Sequence, residues 1–136
     1  MTMADTKLIL IVDDEATFRE IFSARLTAAG YRTETAESGQ QGIEKAKALK
    51  PDLVLMDVKM PGMEGTEAAS KIHDDPDMKD LKIVFLTSLG DPSAELSGAD
   101  AKFAQDFGFQ GYIKKTDDSA AMLEKVKKFI GLEIKR

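Results

Sequence analysis

Two short apolar runs, Leu8–Val12 (LILIV) and residues 53–56 (LVLM), each stop abruptly on carboxylates, the first on Asp13 and Asp14 and the second on Asp57. Runs of this length that are rich in branched residues and show no polar alternation are strands buried on both faces, the pattern of a parallel sheet rather than of an antiparallel one with a wet side. A third run, residues 83–86 (IVFL), ends at Thr87 and Ser88. Parallel neighbours need crossover connections, and the segments between these runs supply them. After Glu15, Phe18, Ile21, Phe22, Leu26 and Ala29 recur at helical spacing until Gly30 stops the helix. A strand is predicted over 31–36, and Ser38 then opens a helix carrying Ile43, Ala46 and Leu49 before Pro51. The loop KMPGMEG leads into a helix over 66–73, and DDPDMKD reads as a polar connection. Leu96, Ala99, Phe103, Ala104 and Phe107 predict a helix within 89–108, weakened by Gly98. A short strand over 111–113 and a last helix with Leu123, Val126, Phe129 and Ile130 complete five strands alternating with five helices. That order predicts an α/β domain with a parallel sheet and right-handed crossovers.

Length and charge narrow what such a domain does. The 136 residues suit one hydrophobic core, and with no repeat, low-complexity tract or linker we expect a single domain over 1–136 with no output domain. The absence of cysteine removes disulfides, thiolate metal sites and thiol catalysis, and fits a reducing compartment. The start, MTMADTK, lacks the basic and apolar regions of a signal peptide, and the longest apolar run is too short to span a bilayer. A cytoplasmic protein without a membrane contact is expected. A net charge of −5 speaks against direct nucleic-acid binding, which needs clustered cations. Lys125, Lys127, Lys128, Lys135 and Arg136 read as a solvated helix face near a helix C-terminus.

Ligands on parallel sheets sit beyond the carboxyl ends of the strands. Those ends carry Asp13 and Asp14, Asp57, Thr87, and, just past the last strand, Lys114 and Lys115. Carboxylates brought together repel one another unless a cation compensates, and a hard divalent ion such as Mg²⁺ suits oxygen ligands. A carboxylate so placed can also act as a nucleophile toward phosphorus, with a lysine and a hydroxyl to neutralise and bind the phosphoryl oxygens. Each residue alone has a plainer role: Asp14 or Glu15 as a helix cap, Asp57 as a turn former, Thr87 as a strand terminus, Lys115 as a surface charge, Tyr112 as core. His73 reads as a helix-end histidine and not as a phosphoryl carrier. The combination at successive strand ends is far more specific than its members.

With these residues in place the chain resembles the receiver domain of bacterial two-component response regulators over about 7–130. The motifs are ILIVDDE (9–15), DLVLMDVKMPGMEG (52–65), FLTS (85–88) and GYIKK (111–115). The resemblance implies a doubly wound (βα)5 flavodoxin-like three-layer sandwich with strand order 2-1-3-4-5. It implies that Asp57 accepts a phosphoryl group from the phosphohistidine of a sensor histidine kinase or a histidine phosphotransfer protein. Mg²⁺ would be held by Asp14, Asp57 and the backbone carbonyl of Lys59, with Asp13 acting largely through water. Lys115, rather than Lys114, occupies the family's lysine position, Thr87 binds the phosphoryl oxygen, and Tyr112 turns inward with it. The face formed by the fourth helix, fifth strand and fifth helix then changes and binds a downstream target protein. Such a protein is a switch and not a conventional enzyme, although it promotes its own phosphorylation and slow dephosphorylation, and it works as a monomer or weak dimer.

Three departures from the family pattern stand out. Thr116 replaces the proline that usually follows the lysine, the stretch between Thr87 and Tyr112 is longer than usual, and Phe107 and Phe109 flank Gly108 where small residues are common. Lys59 and Leu89 fall at positions that tune hydrolysis of the aspartyl phosphate, and neither side chain suits the orientation of an attacking water. A long-lived phosphorylated state is therefore expected. Two other readings compete: a phosphorylation-independent interaction module of the same fold, and a metal-dependent aspartyl phosphotransferase of the haloacid-dehalogenase type, whose second aspartate is here Lys59.

Overall fold

The computed structural model describes residues 6–88 and 111–131. In chain order these form β1 (Leu8–Val12), α1 (Ala16–Ala28), β2 (Arg32–Ala36), α2 (Gly39–Leu49), β3 (Leu53–Asp57), α3 (Gly65–Asp74), β4 (Ile83–Thr87), β5 (Gly111–Lys114) and α4 (Ser119–Gly131). The helix expected within 89–108, together with Leu89, Phe107 and Phe109, lies outside the described residues. All strand pairs are parallel, and the sheet order is β2-β1-β3-β4-β5.

Every residue of β1, β3 and β4 is buried, which is why their sequences show no polar alternation. The edge strand β2 (RTETA) does alternate. Side chains of successive strand residues point to opposite faces, so each strand feeds two cores. On one face Leu10, Val12, Val54, Met56, Ile83 and Phe85 pack with Ala46 of α2 and with Ala68, Ala69 and Ile72 of α3. On the other, Ile9, Ile11, Leu55, Val84, Leu86 and Ile113 meet Phe22 and Leu26 of α1 and Met122, Val126 and Phe129 of α4. Helix, sheet and helix make three layers, each large buried aliphatic or aromatic side chain contributing about 1.5–3 kcal/mol.

Helix ends follow local chemistry. Helix α1 closes on Gly30, whose φ of +100° only glycine adopts freely; the Gly30 N–H bonds Thr27 O at 3.0 Å and the Tyr31 N–H bonds Leu26 O at 3.1 Å. Tyr31 is thereby taken up by the helix cap, and β2 begins one residue later than the sequence pattern suggests. Ser38 Oγ accepts the Gln41 N–H at 3.1 Å and starts α2. Ile21 and Leu49, expected on buried helix faces, are instead exposed (38% and 41%), since both sit at the margin of a stripe that small residues narrow. No described helix is long and apolar enough to cross a membrane.

Register completes the placement of the functional edge. Asp57 pairs with Leu86, which pairs with Ile113, and Thr87 pairs with Lys114, so Thr87 stands one step and Lys115 two steps beyond the level of Asp57.

Candidate functional site

Three carboxylates gather where β1 and β3 end: oxygens of Asp13, Asp14 and Asp57 all lie within 4.8 Å of one another. Asp13 is fully buried and tightly specified. Its N–H bonds Ala36 O at 3.1 Å, its Oδ1 accepts the Glu15 N–H at 2.9 Å, and its carbonyl accepts Arg19 Nη1 at 2.8 Å. Asp57 closes β3 with 2% exposure, whereas Asp14 faces solvent. Beneath Asp57 the backbone of α3 comes very close: the Gly65 N–H bonds Val58 O at 2.8 Å, and a Cβ at Gly65 would stand 1.9 Å from Asp57 O.

Lys115 comes from just past β5, two strands from β3 in the sheet. Its N–H bonds Thr87 O at 2.8 Å, and its ammonium lies 2.8 Å from Asp13 Oδ2, 3.4 Å from Asp57 Oδ2 and 3.6 Å from Glu15 Oε1. At 2.8 Å the Lys115–Asp13 contact is a buried ion pair, and neither atom finds a further directed hydrogen-bond partner among the described residues. Burial, and next the Asp13 charge, push the Asp57 carboxyl from 3.8 up to about 7, with Lys115 only partly offsetting them. Burial alone would depress Lys115, yet Asp13 and then Asp57 outweigh it and hold the ammonium above the ordinary lysine value.

One lysine is thus insufficient compensation for this acidic edge. Three clustered carboxylates with one buried ammonium between two of them, an Asp57 carboxyl pushed toward its neutral form and an all-oxygen donor set fit a hard divalent cation such as Mg²⁺.

Of the other anticipated residues, Thr87, Tyr112, Lys114 and Lys59 lie on or just past strands β3 to β5, and His73 does not. Thr87 ends β4 almost fully buried, Lys115 is buried, and Lys114 is exposed. Lys59 lies two residues past Asp57 with its side chain exposed and 3.3 Å from Glu64 Oε1. Tyr112 is half-buried on the α2/α3 side of the sheet, its ring 5.7 Å from that of Phe85 at a tilt of 32°. His73 ends α3 with Nε2 3.1 Å from Leu81 O, away from the carboxylates. None of the described peptide bonds is cis.

Sequence reasoning missed Glu15, Phe18 and Arg19. Glu15 is the N-cap of α1, and Phe18 and Arg19 follow it at i+3 and i+4 in the helix's first turn, next to the strand end that the helix follows. Gly65 was missed as well, because a backbone-to-backbone approach leaves no trace except the glycine.

Comparison with known proteins agrees with this geometry. The chain matches the response regulator receiver domain over residues 9–127. It is 27% identical over 126 residues to the polar-differentiation response regulator DivK of Brucella ovis, covering 93% of this chain and 98% of that protein. It is 35% identical over 121 residues to the phosphate regulon transcriptional regulatory protein PhoB of Pseudomonas aeruginosa, covering 89% of this chain but only 50% of that protein, so it spans half of that relative's length. The chemotaxis protein CheY4 of Vibrio cholerae superposes with a TM-score of 0.79 at 27% identity, covering 91% of this chain and 98% of that one. Parallel strands in the order β2-β1-β3-β4-β5, with an acidic cluster at their carboxyl edge and this match along most of the sequence, place the chain in the response regulator receiver domain family of two-component systems.

Proposed function

We propose that Asp57 is the phosphoacceptor of a two-component signalling switch, taking its phosphoryl group from a phosphohistidine on a sensor histidine kinase or a histidine phosphotransfer protein. The observation that carries this reading is the buried Asp57 carboxylate set between the acidic pair at the end of β1 and the Lys115 ammonium. An Asp57 oxygen attacks phosphorus, the phosphorus–nitrogen bond breaks, and its electron pair leaves with the imidazole. Asp13, Asp14, Asp57 and the backbone carbonyl of Lys59 are the groups to hold Mg²⁺, with Asp13 acting largely through water. When bound, that ion supplies charge neutralisation for the acceptor and the phosphoryl oxygens.

The chain's own residues do the rest. Lys115 and the Thr87 hydroxyl neutralise and bind phosphoryl oxygens, drawing Thr87 toward Asp57, and Tyr112 follows on the adjacent strand. New charge at one strand end is thereby converted into a changed face around β5 and α4 for a downstream protein.

Receiver domains are signalling proteins rather than conventional enzymes, and they act with histidine kinases and downstream targets. For this chain we assign a switch that promotes its own phosphorylation, loses the group slowly, acts in the cytoplasm as a monomer or weak dimer, and contacts neither nucleic acid nor membrane directly. The test is incubation with acetyl phosphate and Mg²⁺ followed by borohydride trapping and peptide mass spectrometry. Label at Asp57 that requires the metal and vanishes in Asp57→Asn is expected; label elsewhere, or none, overturns the assignment.

A further inference from the structure

The Lys115 ammonium is enclosed on two sides by different chemistry. Carboxylates of Asp13, Asp57 and Glu15 lie on one side, at 2.8, 3.4 and 3.6 Å. On the other, Nζ stands 4.5 Å from the ring centroid of Phe18 in α1. The lysine side chain is only 2% exposed, although its residue follows the strand end in an open turn, and the half-buried Phe18 ring contributes to that seclusion. Phe18 in turn rests on Phe22, with centroids 5.9 Å apart, and Phe22 is fully buried. The same helix grips the turn a second time: Arg25 Nη1, whose guanidinium lies 5.9 Å from the Phe22 ring, donates to Asp117 O at 3.1 Å. Two residues of the turn that carries the lysine, Lys115 and Asp117, are therefore held by one face of α1.

We propose that Phe18 is a positioning residue for Lys115, its ring face serving as a sliding surface that keeps the ammonium dry and within reach of Asp57. This rests on the assignment of Asp57 as phosphoacceptor. The physical case turns on how the ammonium is shared among its neighbours. Lys115 Nζ faces three carboxylates, at 2.8, 3.4 and 3.6 Å, so no single one of them fixes where it sits. Charge draws it toward the carboxylates as a group, and a ring face attracts an ammonium without binding it at one angle. An ammonium held this way is confined yet free to move from Asp13 toward a phosphoryl oxygen on Asp57, a shift that a rigid bidentate partner would resist. Leucine at position 18 would keep the apolar bulk packed on Phe22 and lose the ring's quadrupole.

The test compares wild type, Phe18→Leu and Phe18→Tyr in the full chain, with acetyl phosphate and Mg²⁺ as the phosphodonor system. Cation–π interactions of partly desolvated pairs correspond to a rate effect of about three- to tenfold, so Phe18→Leu should slow uptake at Asp57 by about that factor. Phe18→Tyr should rescue it to within about twofold. Thermal unfolding checks that both variants are folded. Proton NMR of the Lys115 ε-methylene supplies a readout that packing alone would not move: an upfield ring-current shift in wild type and Phe18→Tyr, absent in Phe18→Leu. Equal uptake by wild type and a folded Phe18→Leu, or no ring-current shift in wild type, overturns the positioning role and leaves the phosphoacceptor intact. Wild type that takes no label at Asp57 overturns the phosphoacceptor and this role with it.

Discussion

Lys115 Nζ lies closer to Asp13 Oδ2 (2.8 Å) than to Asp57 Oδ2 (3.4 Å), so the one buried cation among the described residues of this edge is engaged first by Asp13 and not by the proposed phosphoacceptor. Asp57 is left under-compensated, and burial followed by the Asp13 charge raises its carboxyl from 3.8 to about 7. Between those values the folded chain holds a proton that the unfolded chain has released.

Stability therefore falls as pH rises from about 4 to about 7 and carries the full penalty above that range, where both states are ionised. The raised Lys115 value is a stabilising contribution that is lost only as pH climbs through the alkaline lysine range, and it leaves this window unchanged. Asp57→Asn should remove the slope between pH 4 and 7 and add up to about 4 kcal/mol at pH near 8, since each tenfold change in proton affinity corresponds to about 1.4 kcal/mol. Urea midpoints of both proteins across the window are the measurement. An unchanged wild-type slope in the variant would show that the penalty lies elsewhere. Mg²⁺ should stabilise wild type more at pH 8 than at pH 5 and Asp57→Asn less at both.

Gly65 makes a different prediction, because the room beside Asp57 is set by backbone. A methyl at position 65 would meet Asp57 O at 1.9 Å and Asp57 C at 2.8 Å, so α3 or the end of β3 has to move. Gly65→Ala should lose about 2–3 kcal/mol, the upper part of the overpacking range, and should also slow phosphoryl uptake. Gly131→Ala, at the helix position where no atom stands within 4 Å, should be neutral to slightly stabilising and leave uptake alone. Chemical denaturation and acetyl phosphate labelling of the two variants separate the cases; a Gly65→Ala protein as stable as wild type would mean the helix yields at no cost.

How much of this was readable in advance follows from which forces are local. The strands were legible because burial on both faces leaves unbroken apolar runs, and the acidic edge was legible because a parallel sheet sends every carboxyl end the same way. Asp13, Asp57 and Thr87 needed only that topology to be brought together, whereas Lys115 was told from Lys114 by the family resemblance. Ile21 and Leu49 misled because helical periodicity names a stripe but not its width. Phe18, Arg19 and Gly65 were silent for another reason: their partners, Lys115, the Asp13 carbonyl and the Asp57 carbonyl, are chosen by tertiary packing.

Stability and switching should also separate at the last helix. Asp118 Oδ1 accepts the Ala121 N–H at 2.8 Å, capping α4 from an exposed position three residues past Lys115. Asp118→Ala should cost about 1 kcal/mol and leave the rate of uptake at Asp57 unchanged. Lowered denaturation midpoint with unaltered labelling is the expected pair of results; slowed labelling would tie the α4 cap to the turn that carries Lys115.

The lifetime of the phosphorylated state turns on Lys59. Hydrolysis needs a water aligned with phosphorus, and alignment needs an acceptor for one of its hydrogens. An ammonium offers three donors and no acceptor, and the Lys59 ammonium is engaged 3.3 Å from Glu64 Oε1 in the solvent-exposed pair beyond β3. The aspartyl phosphate should therefore be long-lived. Lys59→Asn supplies a carbonyl oxygen at the same place and should speed the loss of label by about three- to tenfold, the rate equivalent of one net hydrogen bond of about 0.5–1.5 kcal/mol. Glu64→Gln frees the lysine without giving the water an acceptor beside Asp57, and it should leave the decay where it is. Following the decay of purified, labelled protein with Mg²⁺ present distinguishes these outcomes. Wild type that loses its label as fast as Lys59→Asn would show that water is oriented by some other group.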